Sequence, residues 1–139
     1  MKARVKRIEG VTLMAEADSG HGLVMDASPA VGGRNLGPRP MEMLLMGMGG
    51  CSSIDVITIL EKMREPVAGC EVEITAERAA DHPKVFTEIH MHFILSGSGL
   101  NREKVARAIA LSAEKYCSAS IMLGRSARVT HDFEIVEKA

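Results

Sequence analysis

Aromatic residues are scarce in this chain of 139 residues, which has no tryptophan, one tyrosine and three phenylalanines. Proteins that bind single-stranded nucleic acids stack the bases on aromatic side chains, so this chain offers little for that mode of binding. An excess of either charge is also missing, because 17 basic side chains accompany 18 acidic ones without a long run of like charges. We therefore expect neither a nucleic-acid partner nor a membrane partner.

Segments for export or membrane insertion are lacking too. Residues 1–10 contain no apolar stretch of the kind found in signal peptides, and no apolar run approaches the roughly 20 residues of a membrane-spanning helix. We expect a cytoplasmic protein. The three cysteines show no CxxC spacing, so in that compartment they do not form a structural disulfide framework and are expected to be reduced at rest.

What the chain does contain is an aliphatic, methionine-rich core, since 46% of its residues are apolar and ten are methionine. A domain of this length buries about two thirds of the surface that its unfolded chain exposes. We therefore expect a single domain over residues 1–139.

Local patterns predict an α+β fold with the order βββα, ββα, β. Short strands are expected at 3–9, 11–17 and 22–26, longer strands at 68–79 and 85–96, and a last strand at 128–136. Pro40 begins a helix that is apolar nearly all round and runs to about Arg64, as buried helices do. Asn101 is expected to cap a second helix that runs to about Cys117, followed by a short helical piece at 119–127.

The two longer strands alternate between apolar and polar residues. The predicted apolar faces contain Cys70, Val72, Ile74 and Ala76 in one strand and Val85, Ile89, Met91, Phe93 and Leu95 in the other. The opposite faces contain Glu71, Glu73, Glu77, Glu88, His90 and His92. Cys70 is accordingly interpreted as a structural core residue.

Two cysteines stand among small residues. Cys51 follows "GMGG", and Cys117 ends a stripe formed by Ala106, Ala110 and Ala113 at helical spacing. Helices with small faces can approach closely enough for the roughly 4 to 7 Å between Cα atoms that a disulfide requires. Such a pair can reduce a peroxide: one thiolate becomes a sulfenic acid, the other condenses with it to a disulfide, and an external dithiol restores both. Equally, both cysteines can be buried and inert.

Acidic residues near Cys51 do not explain how its thiol would be activated. Asp55 lies one turn further along the same helix face, and an anion there raises a thiol pKa. Glu42 precedes Cys51 by about 13 Å of helical rise. It can act on the cysteine only through a broken helix or a partner subunit, and otherwise it complements the dipole in the first helical turn.

Histidines offer a weaker pattern. His90 and His92 share a strand face with Glu88, and a zinc site there is conceivable, but no ligand spacing supports it and a polar solvent-facing strand explains all three. His21 and His131 have no identifiable partner in the sequence.

The segments "PMEMLLMGMGGCSSIDVI", "LSAEKYCSASIML" and "ARVTHDFEIV" together resemble the OsmC/Ohr family of osmotically inducible and organic hydroperoxide resistance proteins, most of all its YhfA-type branch. The resemblance spans nearly the whole chain. It implies an OsmC-like fold in which antiparallel sheets enclose two central helices, and an intertwined homodimer with active sites at the subunit interface.

The resemblance also implies catalytic roles. Cys51 carries over as the cysteine that attacks an organic hydroperoxide, often derived from a fatty acid, and Cys117 as the cysteine that resolves the sulfenic acid. The implied reductant is a dithiol, which for Ohr proteins is a lipoylated protein. Neither a metal nor a bound organic cofactor is implied.

The residues that activate the cysteine in the family match this chain less closely. The family glutamate follows the helix-starting proline, where this chain has Met41, and Glu42 comes one residue later. His21 or Gly22 stands where the family has its arginine in an early turn. Arg34 and Arg39 in the following loop are two candidates to replace that arginine, and no spacing argument selects one of them.

Two functions therefore compete. The first is thiol-dependent reduction of organic hydroperoxides by Cys51 and Cys117. The second is a non-enzymatic dimer that binds a small apolar ligand or a protein partner at an interface lined by methionine, which is an adaptable side chain. The methionines concerned are Met41, Met43, Met46 and Met48.

Overall fold

Three short strands open the chain and form a sheet of their own. The computed structural model describes all 139 residues, which fall into two compact units, 1–46 and 47–139. In the first unit, β1 (Ala3–Glu9), β2 (Thr12–Ala17) and β3 (Gly22–Met25) pair antiparallel in that order, which confirms the predicted meander. Every residue of β1 is exposed in the single chain. The single domain over residues 1–139 stays a prediction.

The loop after β3 is folded around a buried carboxylate. Asp26 accepts hydrogen bonds from the backbone N–H groups of Ala27, Arg34 and Leu36 at 2.8, 3.1 and 3.2 Å, and from the Thr12 hydroxyl at 3.3 Å. Burial raises the pKa of the Asp26 carboxyl, but these four hydrogen bonds together bring the pKa below its ordinary value. The ionised carboxylate therefore fixes the path of the loop.

The long predicted helix is present as α1 (Pro40–Lys62). It ends two residues before the predicted Arg64, because Arg64 adopts a left-handed backbone conformation with φ of 59°. The N–H of Arg64 then reaches the Glu61 carbonyl at 2.9 Å, and the N–H of Glu65 reaches the Leu60 carbonyl at 3.0 Å. This pair of bonds is a Schellman cap, which satisfies carbonyls that the helix end would otherwise leave unpaired.

The apolar character of α1 requires one correction. With 23 residues and a mean hydropathy of 1.7 over its most apolar window, α1 is long and apolar enough to cross a membrane by length and composition, contrary to the expectation from the sequence. Core helices of globular folds meet the same criterion. Asp55 of α1 accepts a hydrogen bond from Ser112, so this part of the helix makes a polar contact within the unit 47–139.

The second unit contains a three-stranded sheet in the order β4 (Val67–Arg78), β5 (Phe86–Gly97) and β6 (Arg128–Glu137). β4 and β5 pair antiparallel, as their short connection requires, whereas β5 and β6 run parallel. The family resemblance implied antiparallel sheets, and this expectation is wrong for β6, which pairs parallel to β5. A parallel neighbour needs a long crossover connection, and residues 98–127 with their helices supply it.

The predicted strand faces are confirmed except at Val85. The alternating pattern continues from Ile89 to Leu95, with the apolar residues buried. Val85 lies outside the strand and is 42% exposed, while Phe86 is buried at 5%. The pairing shifts register between Glu77 and Arg78, so a bulge reverses the alternation at this end of the hairpin.

The predicted helix from Asn101 to Cys117 is divided. Asn101 is confirmed as the N-cap of α2 (Arg102–Leu111), because its side chain accepts the N–H of Lys104 at 3.0 Å. A π-helical turn, Ser112–Tyr116, follows, and Cys117 then adopts an extended conformation with φ of −74° and ψ of 98°. The last helix, α3, spans Ser118–Leu123.

Candidate functional site: two thiols and a carboxylate

The structure brings together the two cysteines that the sequence singled out. The sulfurs of Cys51 and Cys117 and a carboxylate oxygen of Asp55 all lie within 4.8 Å of one another. The predicted stripe does not reach Cys117, because the chain leaves α-helical geometry at the π-helical turn and Cys117 lies at the start of α3. Of the stripe residues, Ala106 is exposed in the single chain, and Ala110 and Ala113 are half-buried.

Cys117 is buried among hydrogen-bond donors. Its sulfur accepts the Ser52 hydroxyl at 3.2 Å and the backbone N–H of Ser120 at 3.3 Å, and the Ser52 and Ser120 hydroxyls lie 3.2 Å apart. Complete burial raises the pKa of the Cys117 thiol, but hydrogen bonds from the side chains of Ser120 and Ser52, the Ser120 backbone and Cys51 lower it more. The net pKa lies below the ordinary value, so the site stabilises the Cys117 thiolate more than water stabilises that of a free cysteine.

Cys51 differs from Cys117 in exposure and in charge environment. It is half-buried on α1, whereas Cys117 is fully buried. Burial raises the pKa of the Cys51 thiol, and so do its hydrogen bond with Cys117 and the negative charges of Cys117 and Asp55; a hydrogen bond from the Ala119 backbone opposes them. Of the two thiols, the more accessible one is thus the less acidic.

The carboxylate of Asp55 is held in place by the π-helical turn. The Ser112 hydroxyl donates to Asp55 Oδ2 at 3.1 Å, and Ser112 is buried. From the sequence, Asp55 was expected only to disfavour ionisation of Cys51, and no role was predicted for Ser52, Ser112 or Ser120. A signal for Ser120 was present, since it stands three residues after Cys117, the spacing between a helix cap and the N–H groups it accepts.

The remaining candidate activating residues lie in the first unit. Glu42 occupies the first turn of α1, where its carboxylate accepts the backbone N–H of Arg39 at 2.8 Å. The Arg39 guanidinium donates to Asn35 at 2.7 Å, and that of Arg34 donates to Glu9 at 3.0 Å.

His21 also lies in the first unit, in the turn before β3, with its Nδ1 3.3 Å from the Ser19 hydroxyl. Like Glu42, Arg34 and Arg39, it has a hydrogen-bonding partner within this unit. A role of any of these residues toward the cysteines stays a prediction.

The two histidines of β5, His90 and His92, both contact a carboxylate of the neighbouring strand β6. His90 Nε2 and His92 Nδ1 lie 3.0 and 2.7 Å from the same oxygen of Asp132 in β6, a partner that the parallel pairing supplies. Glu88 instead forms an ion pair with Arg128 at 3.0 Å. His90, His92 and Glu88 share the polar face of β5, as predicted, and their partners on that face are Asp132 and Arg128 in β6.

Cys70 lies on the inner face of β4, as predicted, and is half-buried. Burial raises the pKa of its thiol, and a hydrogen bond with Ser53 only partly opposes that rise. Nothing around it activates the sulfur.

An apolar groove of about 540 Å³ opens next to the candidate site. Asp55, one helical turn past Cys51, forms part of its wall. The other lining residues are Ile54, Thr58, Ile59, Lys62, Met63, Leu111 and Tyr116. A groove of this size and composition suits a small ligand with an apolar body.

Comparison with known proteins identifies the family of this chain. The family model described as OsmC-like protein matches residues 32–132, which include both cysteines and Asp55. This chain belongs to the OsmC family. Protein YhfA of Escherichia coli (strain K12) is 48% identical to this OsmC-family chain over 136 residues, which cover 98% of each chain.

Solved structures share the fold of this OsmC-family chain. A hypothetical protein from Aquifex aeolicus VF5, 26% identical, has a TM-score of 0.87 and covers 99% of this chain and 97% of its own. An organic hydroperoxide resistance protein OsmC from Legionella pneumophila, 16% identical, has a TM-score of 0.69 and covers 96% of this chain and 97% of its own. The predicted α+β, OsmC-like fold is thereby confirmed.

Proposed function

We propose that this OsmC-family chain reduces organic hydroperoxides with the Cys51 and Cys117 pair. The supporting observation is the approach of the two sulfurs to within 4.8 Å, with only Cys51 partly open to a substrate. A solved relative of the same fold is named an organic hydroperoxide resistance protein. The groove beside Asp55 provides a place for the apolar part of such a substrate.

The proposed reaction has three steps. The Cys51 thiolate attacks the O–O bond of the hydroperoxide, becomes a sulfenic acid and releases the alcohol. Cys117 then attacks the Cys51 sulfur, so that a disulfide forms and water leaves. An external dithiol, in this proposal a lipoylated protein of the cytoplasm, attacks the disulfide and is itself oxidised while both thiols return.

The hydrogen bonds to Cys117 support its role in the second and third steps. A sulfur that is stabilised as a thiolate is available to attack the sulfenic acid, and it is also the better leaving group when the disulfide is reduced. Ser52 and Ser120 provide that stabilisation without any charged side chain. An external dithiol would attack the Cys51 sulfur, because Cys117 is fully buried.

We also propose that the chain acts as a homodimer. Only 28% of the apolar window of α1 is buried within one chain. Large apolar side chains remain exposed along this helix, among them Leu44, Met46 and Ile54 at 47, 50 and 68%. A second copy that covers this helix would remove that surface from water, at about 25 cal/mol per Å² of apolar area.

One experiment tests the reaction. Reduced protein receives one equivalent of an organic hydroperoxide, and disulfides are mapped by mass spectrometry. We expect a Cys51–Cys117 disulfide that Cys51→Ser abolishes and Cys70→Ser leaves unchanged. If both thiols stay free while the hydroperoxide persists, the proposal is wrong.

A second function, binding of an apolar ligand without turnover, is supported by the raised pKa of Cys51 and by the groove. The methionine cluster is a less suitable site, because Met48 is fully buried within the chain. This alternative predicts that affinity for an apolar probe survives Cys51→Ser. It also predicts that wild type and variant consume hydroperoxide equally slowly.

A further inference from the structure

We propose that Cys51, Asp55 and Cys117 form a binding site for a thiophilic divalent cation, with Zn²⁺ as the reference ion. The proposal rests on the arrangement of three ligand atoms and does not depend on peroxidase activity. Metal and disulfide would compete for the same two sulfurs, so the metal-bound protein would be protected from thiol reagents.

The distances suit a single small ion. Two sulfurs and one carboxylate oxygen all lie within 4.8 Å of one another. Two thiolates on a tetrahedral zinc at about 2.3 Å are separated by about 3.8 Å. The ligands therefore need only small side-chain movements, and a fourth position stays open to water.

The charge pattern favours a cation more than a free thiolate. The Asp55 carboxylate lies within 4.8 Å of both sulfurs, and the hydrogen-bond donors to Cys117 and Asp55 are the neutral groups of Ser52, Ser120 and Ser112. A carboxylate beside two thiols thus opposes the activation of a nucleophile. The same carboxylate would stabilise a divalent ion, and the ion would in turn stabilise both thiolates.

The surrounding hydroxyl groups already orient two of the three ligands. Ser112 donates to one oxygen of Asp55 at 3.1 Å, and Ser52 donates to Cys117 at 3.2 Å. Hydrogen bonds of this kind fix ligand orientation in metal sites, and their loss typically costs 10- to 100-fold in affinity. Both serines are buried, so their positions are set by packing.

Binding has a defined proton balance. Each thiol that binds the metal loses its proton, so the neutral form of the site releases two protons and the ion gains two thiolate bonds. No oxidation occurs, and no co-reactant is required.

The test uses the reduced full-length protein and Cd²⁺, whose thiolate bonds give a charge-transfer absorption in the ultraviolet, followed by competition with Zn²⁺. We expect one equivalent of metal per chain. Affinity should fall at least about 100-fold in Cys51→Ser and in Cys117→Ser, and about tenfold in Ser112→Ala. Asp55→Asn should weaken binding more than Ser112→Ala, and Cys70→Ser should match the wild type.

Alkylation gives an independent readout if a variant fails to fold. In the wild type, Zn²⁺ should slow alkylation of Cys51 and Cys117 but not of Cys70, as mapped by mass spectrometry. Equal alkylation rates with and without Zn²⁺ would overturn the proposal, as would a Cd²⁺ affinity that is unchanged in Cys51→Ser or in Asp55→Asn. A protein that binds metal but does not consume hydroperoxide would contradict only the proposed reaction.

Discussion

The Ser52 hydroxyl donates a hydrogen bond of 3.2 Å to the sulfur of Cys117, although 65 residues separate them in the chain. Ser52 directly follows Cys51 on α1, so one helical segment positions one sulfur and stabilises the other. Together with the hydrogen bonds from Ser120 and Cys51, this contact lowers the pKa of the buried Cys117 thiol below its ordinary value, whereas the pKa of Cys51 is raised.

Removing that hydroxyl should raise the pKa of Cys117. In Ser52→Ala the thiolate loses a donor inside a buried site, where no water replaces it. The measurement is the pH dependence of Cys117 alkylation, followed by mass spectrometry. Ser53→Ala is the matched control, because Ser53 bonds to Cys70 and should affect only that thiol. An unchanged Cys117 profile in Ser52→Ala would contradict the assigned role of this hydrogen bond.

Removing the negative charge of Asp55 should lower the pKa of Cys51. Asp55→Asn eliminates one anion that raises the pKa of Cys51, so its alkylation at neutral pH should become faster. Glu61→Gln, an exposed position on the same helix, serves as the control for a general change of charge. The prediction is wrong if both variants accelerate the reaction equally.

The cap of α2 should contribute measurably to stability. Asn101→Ala removes the acceptor for the Lys104 N–H and should lower the free energy of unfolding by about 1 kcal/mol. Asn101→Ser, which keeps an oxygen at the cap, should lose much less. Urea unfolding of the three proteins measures the difference, and equal losses in both variants would show that the cap is not the cause.

Glycines of α1 test the proposed dimer. A Cβ at Gly50 would meet nothing within 4 Å in the single chain, and alanine in a helix interior is favoured by about 1 kcal/mol. If α1 packs against a second copy at this position, Gly50→Ala should weaken association while it stabilises the helix. Sedimentation at several concentrations measures the dimer, and unchanged association would exclude close packing at Gly50.

The pair of His92 and Asp132 should make stability depend on pH. The hydrogen bond with Asp132 is the main cause that raises the pKa of His92, against a smaller lowering by burial, and the same bond lowers the pKa of Asp132. Because the pKa of His92 is raised, its protonated form stabilises the folded protein. This contribution is complete below pH 6.5, the ordinary pKa of histidine, and is lost as the pH rises through the pKa of His92 in the folded protein. The contribution of the ionised Asp132 carboxylate is complete above pH 3.8, its ordinary pKa, and is lost as the pH falls through the pKa of Asp132 in the folded protein.

Asp132→Asn should therefore lower the urea midpoint of unfolding most between pH 3.8 and pH 6.5, and less at alkaline pH. His82→Asn, in the turn between β4 and β5, is the control and should leave this dependence unchanged. A uniform loss at every pH would assign Asp132 a structural role that does not involve ionisation of His92.

Local sequence signals predicted the elements well where the cause of the structure is local. Pro40 and Asn101 marked helix starts because a proline or a side-chain cap acts within one turn. Alternation placed Cys70 and Ile89 on inner faces. It failed at Val85, where a bulge depends on the pairing with β4 and cannot be read from either strand alone.

The site was only partly predictable for the same reason. The small residues around Cys51 and Cys117 indicated a pair of thiols, but the π-helical turn that places Cys117 beside Ser52 and Asp55 arises where α2 must give way to α3. Likewise, the parallel pairing of β5 with β6 brings Asp132 to the histidines of β5. Neither relationship leaves a signal in residue spacing.

The sequence by itself determined the family, the α+β order of elements and the identity of the two cysteines, because composition and short-range pattern encode helices, strands and caps. Only the tertiary structure decided which thiol is buried and stabilised as a thiolate, and that a carboxylate accompanies both sulfurs. Burial and hydrogen bonding of Cys117 depend on residues that are distant in the chain and become neighbours only when α1, the π-helical turn and α3 pack together.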